Sequence, residues 1–164
     1  MSKLYPKMYY KNIQSINIEE LISSDIKGLI LDVDNTLIDL NQNMPDGVNA
    51  WIQTAKKQGI KMCILSNSNK EEKVRKVAID LEVPYIFFAK KPLKSGFLKA
   101  KEVLSLENNN IASIGDQIFT DVLGANISGM TSIFVEPIND KDYFITRVKR
   151  PIEKFIIKRY LKKK

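Results

Sequence analysis

Two kinds of hydrophobic pattern alternate along the chain. Short apolar runs occupy 28–34, 60–65, 84–89, 111–114 and 131–135, each closed by polar or turn-forming residues. Runs of this length and composition read as strands buried on both faces of a parallel sheet. Between them, apolar residues recur at helical spacing. One such stretch runs from Val48 to about Gln58. A second runs from about Lys70 to Leu81, with Val74, Val77, Ala78 and Leu81 on one face. A third covers about 93–106, with Leu93, Phe97, Ala100 and Leu104 as its stripe, and a fourth about Thr120 to Ile127. Gly59 and Gly129 stand where helices stop. Asn17 is placed to cap a short helix over Ile18–Ile22, with Glu20 at its third position. Residues 1–16 carry Tyr5, Tyr9, Tyr10, Ile13 and Ile16 among lysines, and read as an arm packed on the body through its aromatics. The alternation predicts an α/β domain: a five-stranded parallel sheet with helices on both faces. There is no repeat and no linker. The 164 residues read as one domain with its core at about 26–137 and a distinct tail at about 140–164.

In that tail Ile145, Val148, Ile152, Phe155, Ile156 and Tyr160 fall near helical spacing, with basic residues between them. Pro151 predicts either two helical pieces or the start of a second helix. Charge then separates tail from body. From Arg147 to Lys164 there are nine Lys/Arg and one acid, Glu153, whereas the rest holds 17 basic and 18 acidic residues. The net charge of +7 therefore belongs to the tail. A basic amphipathic helix suits an anionic membrane surface. It equally describes an ordinary helix covering the sheet with a solvated lysine end. Nucleic acid is a third partner for basic tails, but the chain carries no nucleic-acid fold signature.

Composition narrows the chemistry. Cys63 is the only cysteine and lies in an apolar strand, which rules out a disulfide framework and a cysteine zinc site. The absence of histidine rules out a Ser-His-Asp triad and any histidine base or metal ligand. The start lacks the apolar core of a signal peptide, and no segment approaches the ~20 apolar residues of a membrane span. The expectation is a cytoplasmic protein, with peripheral contact at the inner face of a membrane as the tail's option.

What remains is concentrated at strand ends. Asp32 and Asp34 sit two residues apart, on one face of a strand. A buried pair of like charges needs a binding partner, and carboxylate oxygens suit Mg2+. Asn35 and Thr36 follow with turn chemistry. The other strands end at Ser66-Asn67, at Lys90-Lys91-Pro92, and at Gly115-Asp116, with Asp121 shortly after. Singly, each has an ordinary reading: Ser66 as a cap, Lys91 as a solvated lysine, Asp116 as a turn, Asp121 as a helix-start charge. Carboxyl ends of parallel strands share one edge, however, so these groups can converge. Carboxylates, a lysine and a hydroxyl around a metal suit phosphoryl transfer, with one aspartate as nucleophile and another as acid and base.

The chain resembles the haloacid dehalogenase (HAD) superfamily of aspartate-nucleophile phosphatases. Its first motif, DxDxT, matches Asp32-Val33-Asp34-Asn35-Thr36. Its second matches Ser66 in Ile64-Leu65-Ser66-Asn67, its third Lys91-Pro92, and its fourth Gly115-Asp116 through Asp121. The motifs come in order over about 90 residues. The resemblance implies Asp32 as nucleophile and Asp34 as acid/base. It implies Mg2+ held by Asp32, the main-chain carbonyl of Asp34 and Asp116. Ser66, Asn67 and Lys91 would bind the phosphoryl group, with Thr36 and Asp121 in support. Ser66 follows Asp32 by 34 residues and Lys91 follows Ser66 by 25, which leaves no room for a cap domain. An open site suits a phosphate presented on a large body, such as a lipid or a nucleic-acid end. The segments around these motifs, and the Leu4-Tyr5-Pro6 start, further resemble the YqeG-like family, related to phosphatidylglycerophosphate phosphatases, as far as about Pro137. That likeness implies dephosphorylation of phosphatidylglycerophosphate to phosphatidylglycerol. Two alternatives stand beside it: a phosphatase for another large phosphoester, and a non-catalytic RNA- or ribosome-binding scaffold.

Overall fold

The computed structural model describes the backbone of residues 2–140 and 144–164, with side chains of 3–140 and 147–164. Its strands are β1 (Met8–Tyr10), β2 (Gly28–Leu31), β3 (Lys61–Leu65), β4 (Tyr85–Ile86), β5 (Ile111–Gly115) and β6 (Thr131–Val135). Its helices are α1 (Ile18–Ser23), α2 (Val48–Lys57), α3 (Glu71–Leu81), α4 (Lys94–Leu104), α5 (Leu123–Ile127) and α6 (Phe144–Leu161). All six strands pair in parallel, in the order β1-β6-β5-β2-β3-β4.

Alternation along the strands sets the layers. Leu29 and Leu31 of β2 face one side, where they join Ile52 and Ala55 of α2 and Val74, Val77 and Leu81 of α3. Ile30, between them, faces the other side with Phe97, Ala100 and Leu104 of α4 and Ala125 of α5. Helices thus cover both faces, as the apolar strands require. Asn17 caps α1 as expected, its Oδ1 accepting the backbone N–H groups of Glu19 and Glu20.

Four expectations change. The strand expected over 28–34 ends at Leu31, so Asp32 and Asp34 lie beyond it and do not share one face of a strand. The sheet has six strands rather than five, because part of the N-terminal arm is strand β1. Three residues among lysines carry no apolar run. What makes them a strand is the edge of β6, which pairs with them from Met8↔Ile133 to Tyr10↔Val135, while the Tyr9 ring stacks on Phe134 at 5.7 Å. The strand expected over 84–89 shrinks to Tyr85–Ile86. Its continuation turns away, as Phe88 and Ala89 donate their N–H groups to Ser68 and Ser66 carbonyls. Finally, Pro151 does not divide the tail, since α6 runs through it. Either side of the proline, Arg150 and Glu153 are buried against the body and hold the helix in place. Of the apolar tail residues, Tyr160 is buried and packs near Tyr5, whereas Val148, Ile152 and Phe155 are exposed. Ile145 lies outside the residues whose side chains are described. Among the described residues no helix is long and apolar enough to cross a membrane.

Candidate active site

Four strand ends deliver the site. β2 delivers Asp32, whose N–H still bonds to Ile114 O of the neighbouring β5 at 3.0 Å. The chain then turns sharply. Asn35 adopts a left-handed conformation (φ 61), and the N–H groups of Thr36, Leu37 and Ile38 all return to Val33 O. That turn swings Thr36 back over the strand end, with its hydroxyl 2.9 Å from Asp32 Oδ2 and 3.0 Å from Asp116 Oδ1. A hydroxyl has one proton, so it donates to one of these carboxylates at a time.

β5 delivers Asp116, which is fully buried. Asp121 follows in a π-helical turn, Ile118–Val122, whose wide spacing brings it back over Gly115. A Cβ on Gly115 would lie 2.2 Å from Asp121 Cγ, so only glycine permits this approach. Lys91 arrives from the loop after β4 and places Nζ 2.8 Å from Asp32 Oδ1 and 2.6 Å from Asp121 Oδ1. Its peptide bond to Pro92 is cis. Carboxylate oxygens of Asp32, Asp116 and Asp121 all lie within 4.8 Å of one another.

Ser66, at the end of β3, is buried, and its hydroxyl accepts the Ser68 N–H at 3.1 Å. Asn67 brackets the Lys91 backbone: its Oδ1 accepts the Lys91 N–H at 2.6 Å, and its Nδ2 donates to Lys91 O at 3.0 Å. The Asn67 side chain therefore fixes the loop that carries the lysine. Asp34 stands apart from the buried carboxylates, half-exposed, with Oδ1 2.6 Å from Lys73 Nζ. The structure thus joins Asp32, Thr36, Lys91, Asp116 and Asp121 directly, seats Ser66 and Asn67 beside them, and leaves Asp34 at the rim.

Lys73 and Arg150 are the cations that sequence reasoning missed, and with Arg150 its carboxylate partner Glu153. Arg150 reaches in from α6, pairs with the Asp116 carboxylate, donates to Asp116 O at 2.6 Å and touches Glu153 Oε2 at 3.1 Å. Glu153 also accepts the Phe119 N–H at 3.2 Å. A charge run reads as a solvated tail, and nothing local marks one of its arginines as buried. For Lys73 a signal existed: it lies in the first turn of α3, the helix that follows the Ser66-Asn67 strand end.

Electrostatics matches the crowding. Burial, then repulsion from Asp32, pushes Asp116 well above the usual carboxylate range. The same two causes, against the pull of Lys91, raise Asp121 to about 7. Burial raises Asp34 against the pull of Lys73. Burial alone would lower Lys91, but Asp121 and Asp32 outweigh it and hold its ammonium above the ordinary lysine range. With every carboxylate ionised, Asp32, Asp34, Asp116, Asp121 and Glu153 outnumber Lys73, Lys91 and Arg150 by two charges, which is why their protons are held so firmly. A divalent cation among the three clustered aspartates would cancel that excess, and an all-oxygen donor set suits Mg2+ or a similar hard ion.

Comparison with known proteins agrees with this geometry. A family model described as "Mitochondrial PGP phosphatase" matches residues 1–139. "Probable phosphatase YqeG" of Bacillus subtilis (strain 168) is 38% identical over 153 residues, covering 93% of this chain and 88% of that protein. "Phosphatidylglycerophosphate phosphatase 1, chloroplastic/mitochondrial" of Arabidopsis thaliana is 23% identical over 173 residues, covering 96% of this chain and 48% of the plant protein, about half its length. Among solved structures, the cobalt-bound deoxy-D-mannose-octulosonate 8-phosphate phosphatase of Haemophilus influenzae shares the fold. Its TM-score is 0.56 at 18% identity, over 68% of this chain and 69% of that one. With the aspartates, lysine and serine of the HAD motifs gathered at one sheet edge, the chain belongs to the mitochondrial PGP phosphatase family, a HAD-superfamily family of phosphatases.

Proposed function

We propose that this chain is a Mg2+-dependent phosphomonoesterase that removes the terminal phosphate of phosphatidylglycerophosphate through an aspartyl-phosphate. The observation that carries the chemistry is the buried contact of Lys91 Nζ with Asp32 and Asp121, beside Asp116. The lipid substrate is supported by the family description and by the name of the plant relative.

Asp32 is the nucleophile. Its carboxylate oxygen bonds to phosphorus as the bond from phosphorus to the glycerol oxygen breaks. Asp34, kept protonated more readily by its raised pKa, gives its proton to that leaving oxygen and completes the hydroxyl of phosphatidylglycerol. Asp34 then takes a proton from a water that attacks the aspartyl-phosphate, releasing inorganic phosphate and restoring Asp32. Lys91 and Ser66 hold the phosphoryl oxygens, and Asn67 keeps Lys91 in register. Asp32, Asp116 and the carbonyl of Asp34 would hold Mg2+, with Asp121 near enough to contribute. When bound there, the ion would supply positive charge to oxygens whose negative charge grows during transfer. The short spacings between motifs favour a site without a cap, accessible to a headgroup at a membrane. The basic, outward-facing surface of α6 supports docking on anionic lipid.

The test is phosphate release from phosphatidylglycerophosphate in mixed micelles by the purified chain with Mg2+, beside a panel that includes a 5′-phosphorylated oligonucleotide. The lipid should be turned over best, and Asp32→Asn should abolish release. Turnover of other phosphoesters without turnover of the lipid would reject the substrate and keep the chemistry.

A further inference from the structure

One feature of the site's rim is not used by hydrolysis. Between β4 and α4, the segment Phe87–Leu93 leaves three large apolar side chains in water: Phe87 at 36%, Phe88 at 54% and Leu93 at 58% exposure. Single exposed apolar residues are ordinary, but three within seven positions concentrate exposed apolar surface in one loop. The loop's shape presents them. Phe88 and Lys90 both take left-handed backbone (φ 49 and 58), disfavoured for residues with side chains, and the Phe88 N–H is tied to Ser68 O at 2.8 Å. The same loop carries Lys91, which is buried, and Asn67 clamps its backbone from both sides. The apolar tip and the phosphoryl-binding lysine therefore belong to one fixed segment.

Charge says what the tip meets. From Phe87 to Lys101 the chain has no acidic residue and five lysines, of which Lys91 is buried in the site and Lys101 pairs with Glu107, leaving Lys90, Lys94 and Lys99. Lys90 Nζ stands 5.2 Å from the Phe88 ring centroid. Aromatic and aliphatic side chains among lysines match a surface that is anionic outside and apolar beneath, and a bilayer of anionic phospholipid offers both in one object. We propose that the Phe87–Leu93 loop is an interfacial anchor, seating Phe88 and Leu93 between the headgroups of an anionic bilayer with Lys90 and Lys94 on the lipid phosphates. This deepens the lipid reading and rests on it for the substrate. Contact with a bilayer is measurable with no substrate present.

The experiment is flotation of the full chain with vesicles of phosphatidylcholine, alone or mixed with phosphatidylglycerol. The wild type should float with the mixed vesicles. Phe88→Ser combined with Leu93→Ser should cut the floated fraction about tenfold or more. The same variant should hydrolyse p-nitrophenyl phosphate like the wild type, because neither side chain touches the phosphoryl pocket. Phe88→Trp should float like the wild type and shift its added emission to the blue on mixing. Flotation of the double-serine variant equal to wild type overturns the proposal. So does a parallel loss of p-nitrophenyl phosphate turnover, which would make the loop part of the site's scaffold. Failure of the wild type to float also overturns it and would leave the patch to a protein partner. If the wild type floats, the variant does not, and phosphatidylglycerophosphate in the same vesicles survives, the substrate reading falls while the anchor stands.

Discussion

Lys91 pairs with two carboxylates that have left water almost completely. Lys91→Met keeps its length but strands Asp32 and Asp121, and an unpaired buried charge costs about 3–5 kcal/mol. The variant should lose turnover and unfold at markedly lower urea, read from the denaturation midpoint. Asp32→Asn behaves differently. It removes the repulsion that raises Asp116 and Asp121, so activity should vanish while the metal-free protein unfolds no earlier than wild type. Loss of both properties together would assign Asp32 to the scaffold. Asp32, Ser66, Lys91 and Asp116 were legible at this scale because a motif records residue type and order. Arg150 and Lys73 were not, since their burial depends on surfaces that other parts of the chain provide.

At the scale of elements, α2, α3 and α4 were readable to within a residue or two. The apolar stripe that predicts α3 is the face it buries. Elements defined by their neighbours were not readable. β1 exists through the edge of β6, and β4 ends where its chain leaves β3. α6 stays packed on the body through Pro151 because Arg150 on one side pairs with Asp116 and Glu153 on the other accepts the Phe119 N–H. Arg150→Met should therefore strand Asp116 and Glu153 and release the helix. Faster proteolysis within 140–164, with a stability loss of about 3 kcal/mol, is expected from limited digestion and urea titration. Unchanged cleavage would mean that Arg150 serves the site and not the docking of α6.

For the whole molecule, the buried carboxylates couple folding to pH and to metal. Asp121 is raised in the folded chain to about 7, above its unfolded value. Its contribution to stability is complete below about pH 4 and is lost as pH rises through about 7. Thermal unfolding of the metal-free protein should show this loss across that window, with Asp121→Asn flattening it. A divalent ion bound only by the folded form at a hundred times its dissociation constant adds about 2.7 kcal/mol. Mg2+ should therefore raise Tm more at pH 8 than at pH 5, where protons compete for the same oxygens. An equal effect at both would place the ion elsewhere.

By itself, the sequence determined the class of fold, the order of its helices and the residue types available for chemistry, because periodicity and short motifs are local properties of a chain. Only the folded chain decided which charges meet. Asp32, Lys91, the Asp116–Asp121 pair and Arg150 come from segments far apart in sequence, and their pairing is set by strand order, one glycine-permitted approach and a helix packed across the edge. The energy of a buried charge depends on what lies within a few ångströms of it, and that distance does not exist until the chain has folded.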